Sequence, residues 1–331
     1  MRRSVEGNGA VLRRAAAALL LAILIGGCSR PRPLRVGMAI PSAVHNVLWI
    51  AQEGGFFRRQ GLAVEVYTLK GSADAVRLLV SGDMDIVLAG GDAVVKADLA
   101  GADVAAFAGL VNTFYHRLAS VPGVRTPADL KGRAIGLPFL GGPQDMTVRA
   151  VLRRSKLAYG TDVRIRSMGA EYARLAAVTQ GRVDAVTTDA PPSVLKALGL
   201  HVVADAPSWG LPFPYLAAAA RRTFLRGKQD KAMRFLKALC GAMEFYRDHR
   251  DESLAMLAKH AANERGSTVD AEEAYLHNGP ARYTYPPAVD PGTYAAVLDL
   301  ISDERAAGRR PEDFIDSGFM EKLTRDGFFS R

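Results

Sequence analysis

Asp92 and Asp189 each follow a short apolar run and precede a helical segment, the places where an open α/β sheet presents side chains to a ligand. Two carboxylates there would repel a bare anion and would suit an amine, a hydroxyl or a pyrimidine as hydrogen-bond donor. Asp92 is equally well placed to cap a helix, and one side chain can do both. Lys70, at the end of another apolar run, reads either as an anion contact or as an ordinary surface charge. The turn Gly141-Gly142-Pro143 leads into a helix with its backbone N–H groups exposed, which fits an anion or a carbonyl and also fits a plain turn. Trp49, Phe139, Trp209 and Phe213 have the surface to stack on a planar ligand or to pack in a core or hinge. His45 and Asn46 form a polar pair at a helix start, where a capping Asn is a sufficient explanation. His116, His201, His249, His260 and His277 show no paired metal spacing, and the chain has neither a GxSxG elbow nor a Walker loop. No metal, no cofactor and no catalytic residue is expected.

The elements that would position these groups alternate strand and helix. Leu34–Ile40 is β-rich and Asn46–Gln52 helical, closed by Gly54 and Gly55; Leu62–Tyr67 is a second strand, and Ser72 is a good N-cap for a helix that Gly82 stops. Asp85–Ala89 and Val104–Leu110 are further strands. This is the pattern of a parallel α/β sheet. From residue 126 the plan repeats: Thr126-Pro127 opens a short helix and Arg133–Leu137 is a strand. Gly37 and Gly136, Gly61 and Gly160, Gly82 and Gly181, and Asp85 and Asp184 are all 99 residues apart. In that register Asp92 and Asp189 fall within two positions of equivalence and are expected to confront each other across a cleft. After Trp209 come one apolar strand, Phe213–Ala220, and helical segments at 228–248, 251–262, 267–278 and 293–308. Strand 213–220 is expected to return to the first sheet, with Tyr115–Val121 as the outward crossing. Two crossings make a hinge between two α/β lobes, and the loops at the carboxyl ends of the strands become the ligand-facing set. These are Ser42, His45, Asn46, Lys70, Gly71, Gly90, Gly91 and Asp92 in the first lobe, and Phe139, Gly141, Gly142, Gln144, Thr188 and Asp189 in the second.

Residues 1–28 read as an export leader: Arg2, Arg3, Arg13 and Arg14, an apolar run from Ala15 to Ile25 too short for a comfortable membrane span, then Gly26-Gly27-Cys28. Small residues before a Cys at that place are similar to the lipobox of bacterial lipoproteins, in which Cys28 would be diacylated and become the mature N-terminus. Residues 29–33 read as a short extended tether. The 331 residues are 49% hydrophobic and 23% charged, an ordinary globular composition that excludes collagen-like, disordered and multi-span membrane classes. The net charge is +9, and with four arginines against one glutamate in the first 27 residues the remainder carries only +6, with no basic run interleaved with aromatics. Nucleic acid is therefore not expected as a partner. Cys240 lies among Leu236, Leu239 and Met243 and is expected to be a buried helix residue.

Taken in order, Ala51–Glu65 (AQEGGFFRRQGLAVE), Leu78–Val87 (LLVSGDMDIV), Asp129–Gly132 (DLKG), Gly181–Ala185 (GRVDA) and Asp189–Pro191 (DAP) resemble the substrate-binding lipoproteins of ABC importers, in the branch handling nitrate, sulfonates, taurine and thiamine-pyrimidine precursors. The resemblance covers roughly Leu34 to His260. It implies a two-lobed periplasmic-binding-protein type II fold with a hinge and a ligand cleft: lobe 1 from residues 34–114 and 213–331, lobe 2 from 115–212. It further implies an extracytoplasmic, lipid-anchored monomer that captures a small organic solute and hands it to an ABC permease with its ATPase. Where the family often has Glu-Pro, this chain has Asp189-Ala190-Pro191, which points to an atypical solute. Pyrimidine-synthesising relatives carry a cysteine-rich motif, and Cys240 is the only thiol of the body, which disfavours an enzyme; an enzyme on the same scaffold and a sensor lipoprotein are the alternatives.

Overall fold

A computed structural model describes residues 32–39, 43–261, 279–301 and 303–330. The leader with Cys28, most of the tether, Ser42 and the expected 267–278 helix lie outside the described residues. Among the described residues ten strands form two five-stranded sheets. The first holds β1 (Leu34–Met38), β2 (Val64–Thr68), β3 (Ile86–Ala89), β4 (Val104–Thr113) and β10 (Pro212–Arg221) in the order β2-β1-β3-β10-β4; the second holds β5 (Arg117–Ser120), β6 (Ala134–Leu137), β7 (Arg164–Ser167), β8 (Ala185–Thr188) and β9 (His201–Asp205) in the order β7-β6-β8-β5-β9. In each sheet three parallel strands meet an antiparallel one, β10 in the first and β5 in the second.

Helices cover both faces of each sheet. In chain order they are α1 (Asn46–Glu53), α2 (Phe56–Arg59), α3 (Ser72–Ser81), α4 (Gly91–Leu99), α5 (Pro143–Arg154), α6 (Glu171–Thr179), α7 (Pro192–Ala197), α8 (Arg222–Gly227), α9 (Gln229–Asp248), α10 (Arg250–Ala261), α11 (Pro291–Leu300) and α12 (Gly318–Arg325). The expected 293–308 helix is thus shorter, ending at Leu300 before a 3-10 turn at Glu304–Ala306. One core packs Phe107, Phe235, Tyr246 and Phe314 on one side of the first sheet, and a second packs Val76, Leu79 and Val94 on its other side. Eight consecutive residues of β4 are buried, as in a strand covered on both faces. The alanines of β10, weak strand formers, lie flush between β3 and β4, where their small side chains admit helices on both sides. Cys240 is buried in α9, and its thiol is pushed up to about 12 by desolvation.

The 99-residue register holds at the level of individual hydrogen bonds. Asp85 accepts from the backbone N–H of Arg35 at 2.9 Å, and Asp184 accepts from that of Ala134 at 2.8 Å. Gly37 pairs with Val87 and Gly136 with Val186. A Cβ on Gly37 would stand 2.7 Å from Leu69 Cδ1, and one on Gly136 would stand 2.6 Å from Met168 Sδ, so each glycine admits the residue that follows the neighbouring strand. Gly82 and Gly181 both end helices with positive φ, +88° and +66°, which an L side chain rarely adopts.

Some local expectations are corrected. Ser72 is the first residue of α3 and the N-cap is Gly71; the Ser72 hydroxyl instead accepts from the N–H of Gly90 at 3.0 Å. Asn46 does not cap α1 but donates to the Tyr246 hydroxyl at 3.2 Å. Asp92 is the second residue of α4, whose N-cap is Gly90. Thr126 occupies the N-cap position as expected, and its N–H and hydroxyl both donate to the Asp129 carboxylate, at 2.8 and 3.0 Å.

Candidate functional site

Two chain crossings join the sheets, and stacked aromatics tie them together: Phe114 on Phe213 at 4.4 Å and Tyr115 on Tyr215 at 4.8 Å between ring centroids. Phe213 is therefore hinge packing. Beside these crossings the carboxyl ends of β6, β7 and β8 bring together a polar cluster. The Gln144 side-chain amide donates to His116 Nε2 at 2.7 Å and accepts from the Thr187 hydroxyl at 3.2 Å; the Tyr215 hydroxyl stands 3.2 Å from the same His116 nitrogen. With Nε2 accepting, the proton of the neutral imidazole sits on Nδ1, which is buried with no hydrogen-bond partner among the described residues. Desolvation lowers His116 to about 3, so the ring is neutral at physiological pH.

On the facing side, α6 begins with Glu171, half-buried against the end of β8. Its carboxylate accepts from the Thr188 hydroxyl and from the backbone N–H of Asp189 at 3.2 Å. The Asp189 carboxyl is hydrogen-bonded to Glu171, and burial together with that neighbour raises it well above the carboxylate range while Glu171 is lowered. The pair thus holds one proton and one negative charge. Arg174, one turn along α6, is buried behind them and donates to the backbone carbonyls of Thr187 and Gly169. Tyr115 is 2% exposed, burial raises its phenol well above the ordinary value, and its hydroxyl has no hydrogen-bond partner among the described residues.

The first-sheet candidates are less exposed to this space. Asp92 is buried and salt-bridged to Lys96 at 3.1 Å, and Lys96 also donates to the Gly141 carbonyl across the gap between the sheets. The acid beside Asp189 is accordingly Glu171, not Asp92. His45 is buried and hydrogen-bonded to the backbone of Leu88, with desolvation lowering it to about 4. Lys70 is exposed at the start of α3, beside Gly71 at φ +138°. Gly90 faces Pro143 across the gap, and Gly91 lies against Pro214 and the Tyr294 hydroxyl. Gly141 donates its N–H to the buried Asp145 at 3.0 Å, Gly142 is the N-cap of α5, and Phe139 beside it is half exposed. Trp49 stacks on His260 at 4.0 Å, away from the cluster. Glu171, Arg174, Tyr115, His116 and Tyr215 were not among the expected site residues. Among the described residues no group of three or more His, Cys, Asp and Glu could hold a metal ion, and no helix is long and apolar enough to cross a membrane.

The profile of the NMT1/THI5-like family matches residues 42–253, more than half of the chain. Across 280 residues the chain is 25% identical to Bacillus subtilis YtlA, provisionally named a binding protein, covering 81% of this chain and 83% of that one. It is 26% identical over 227 residues to the formylaminopyrimidine-binding protein of Halalkalibacterium halodurans, covering 66% and 67%. The Escherichia coli periplasmic aliphatic sulphonate-binding protein SsuA superposes with a TM-score of 0.70 at 19% identity, covering 86% of this chain and 97% of SsuA.

Proposed function

The chain belongs to the NMT1/THI5-like family and has the α/β fold of periplasmic binding proteins. From that premise we propose that it is the extracytoplasmic solute-binding component of an ABC importer. Its lobes would be residues 34–114 with 213–331, and residues 115–212, closing on a small organic solute and presenting it to a permease. The leader motif supports export and anchoring through Cys28, and a monomer suits this role. The observation that carries the reading is the polar cluster between the sheets: Glu171 and Asp189 on one side, with the buried Tyr115 hydroxyl and His116 Nδ1–H lacking hydrogen-bond partners among the described residues. Buried polar groups are ordinarily paired, so two such groups beside an acid pair are available to a ligand.

The charge balance selects the solute class. The Arg174 charge is matched by the one negative charge of the acid pair, so the three together offer an anion no net attraction and suit a hydrogen-bonding nitrogen compound better than a sulfonate or nitrate. Thermal-shift titration of the full chain with aminopyrimidines, amines, sulfonates and nitrate tests this. At roughly 100 times its dissociation constant a true ligand adds about 2.7 kcal/mol of stability. Saturable stabilisation by a pyrimidine or amine that Glu171→Gln weakens at least tenfold is expected. Preference for a sulfonate or nitrate would overturn the solute class, and turnover of the bound compound would replace the receptor by an enzyme.

A further inference from the structure

Beside the crossings, at Phe114 and Pro212, a cavity of about 240 Å³ opens where both sheets' elements and both crossings meet. The crossings supply Phe114, Leu211 and Pro212, α5 of the second sheet supplies Ala150, Arg153 and Arg154, and α11 of the first supplies Ala296, Asp299 and Leu300. The floor is apolar and the lip is charged. Neither Arg153 nor Arg154 has a carboxylate within salt-bridge distance among the described residues: Arg153 reaches only the backbone carbonyl of Asp299 at 3.3 Å, and the Arg154 guanidinium stands 5.2 Å over the Trp209 ring. Set against the one carboxylate of Asp299, the two guanidiniums leave a net positive charge beside an apolar pocket.

We propose that this cavity is a second ligand site, separate from the Glu171–Asp189 cluster, that takes a small aromatic monocarboxylate: the ring against Phe114, Ala150 and Leu211, the carboxylate on Arg154. Planar guanidinium and carboxylate match in geometry as well as charge. The volume lies just under the roughly 300 Å³ at which sites for larger organic ligands begin, which restricts the occupant to about one ring. Because its walls come from both sheets and both crossings, an occupant binds one lobe angle better than another, and its affinity is linked reciprocally to whatever the cleft holds. This inference does not depend on the identity of the transported solute.

Trp49 and Trp209 are the two tryptophans of the chain, so a Trp49→Phe background makes Trp209, beside Arg154, a local reporter. Titrating the full chain with benzoate is expected to change Trp209 fluorescence saturably, whereas benzylamine is expected to leave it unchanged. Arg154→Glu is expected to weaken benzoate at least tenfold, and Ala150→Leu, which fills the cavity without altering charge, to do the same. Saturation-transfer NMR on the benzoate ring protons reads binding independently of the tryptophan, and melting curves show that both variants fold. No saturable response, an equal response to benzylamine, or undiminished binding in both folded variants would overturn the site.

Discussion

The segments carrying β1–β3 and β6–β8 share a backbone but not a chemistry. At six positions related by 99 residues the first segment has His45, Ser72, Ala75, Leu88, Ala89 and Gly90, whereas the second has Gln144, Glu171, Arg174, Thr187, Thr188 and Asp189. The same link recurs with different atoms: the N–H after the third strand donates to Ser72 Oγ in one segment and to the Glu171 carboxylate in the other. Likewise the residue opening the helix after the first strand reaches the third strand in both, His45 to the Leu88 backbone and Gln144 to the Thr187 hydroxyl. A serine closes its link and has nothing further to offer. A glutamate closes it and keeps a charge facing the gap. The scaffold is therefore symmetric, and the polar set that addresses a solute is concentrated in the second segment.

Acid should expose the largest asymmetry. His45 and His116 are neutral in the folded chain and free to protonate when unfolded, so the unfolded state gains protons below about pH 6.5. Stability is then lost as the pH falls from there toward 4 for His45 and 3 for His116. His45 alone amounts to on the order of 3 kcal/mol at about 1.4 kcal/mol per pH unit. Melting curves from pH 7 to pH 4 should show this decline and a flatter one in His45→Gln, which places in the first segment the residue type that the second already has. An unchanged slope would remove His45 from the account.

The backbone symmetry predicts equal damage from equal cuts. Asp85→Ala and Asp184→Ala each strand a strand N–H and remove an ion pair, with Arg35 at 3.7 Å and Arg133 at 3.0 Å respectively. Each should lower stability by about 2 kcal/mol in urea unfolding, without changing its cooperativity. A difference larger than about 1 kcal/mol between them would show that the two segments are alike in outline only.

How much of this is legible in the sequence follows from what each residue answers to. Gly82, Gly181, Asp85 and Asp184 answer to local needs, a positive φ after a helix or an acceptor at a strand start, and local needs recur at a fixed spacing that can be counted. Glu171, Arg174, Tyr115, His116 and Tyr215 answer to the way β8, α6 and the two crossings come together, which no periodicity encodes. Asp92 misled for a related reason. Lys96 four residues on claims it, an i,i+4 pair whose spacing is visible in the sequence. Ser72 looked like a cap because serine at a helix start usually is one, yet its hydroxyl is drawn to Gly90, 18 residues away.

The smallest expected effect separates the link from the charge. In the folded chain Asp189 keeps its proton above the ordinary carboxylate range, so between that range and its raised value the folded state holds more protons than the unfolded one. Stability therefore falls as the pH rises through that window. Asp189→Asn cannot ionise and keeps the backbone N–H that Glu171 accepts. It should match the parent chain at pH 4 and become more stable by about 1 kcal/mol as the pH rises to 8, measured by urea unfolding at each pH. Ser72→Ala should lower stability by about 1 kcal/mol at every pH, since it removes the corresponding acceptor without touching a titrating group. If the two variants showed the same pH profile, the acid pair would be no more than the serine link in another form, and the second segment would have no special claim on the solute.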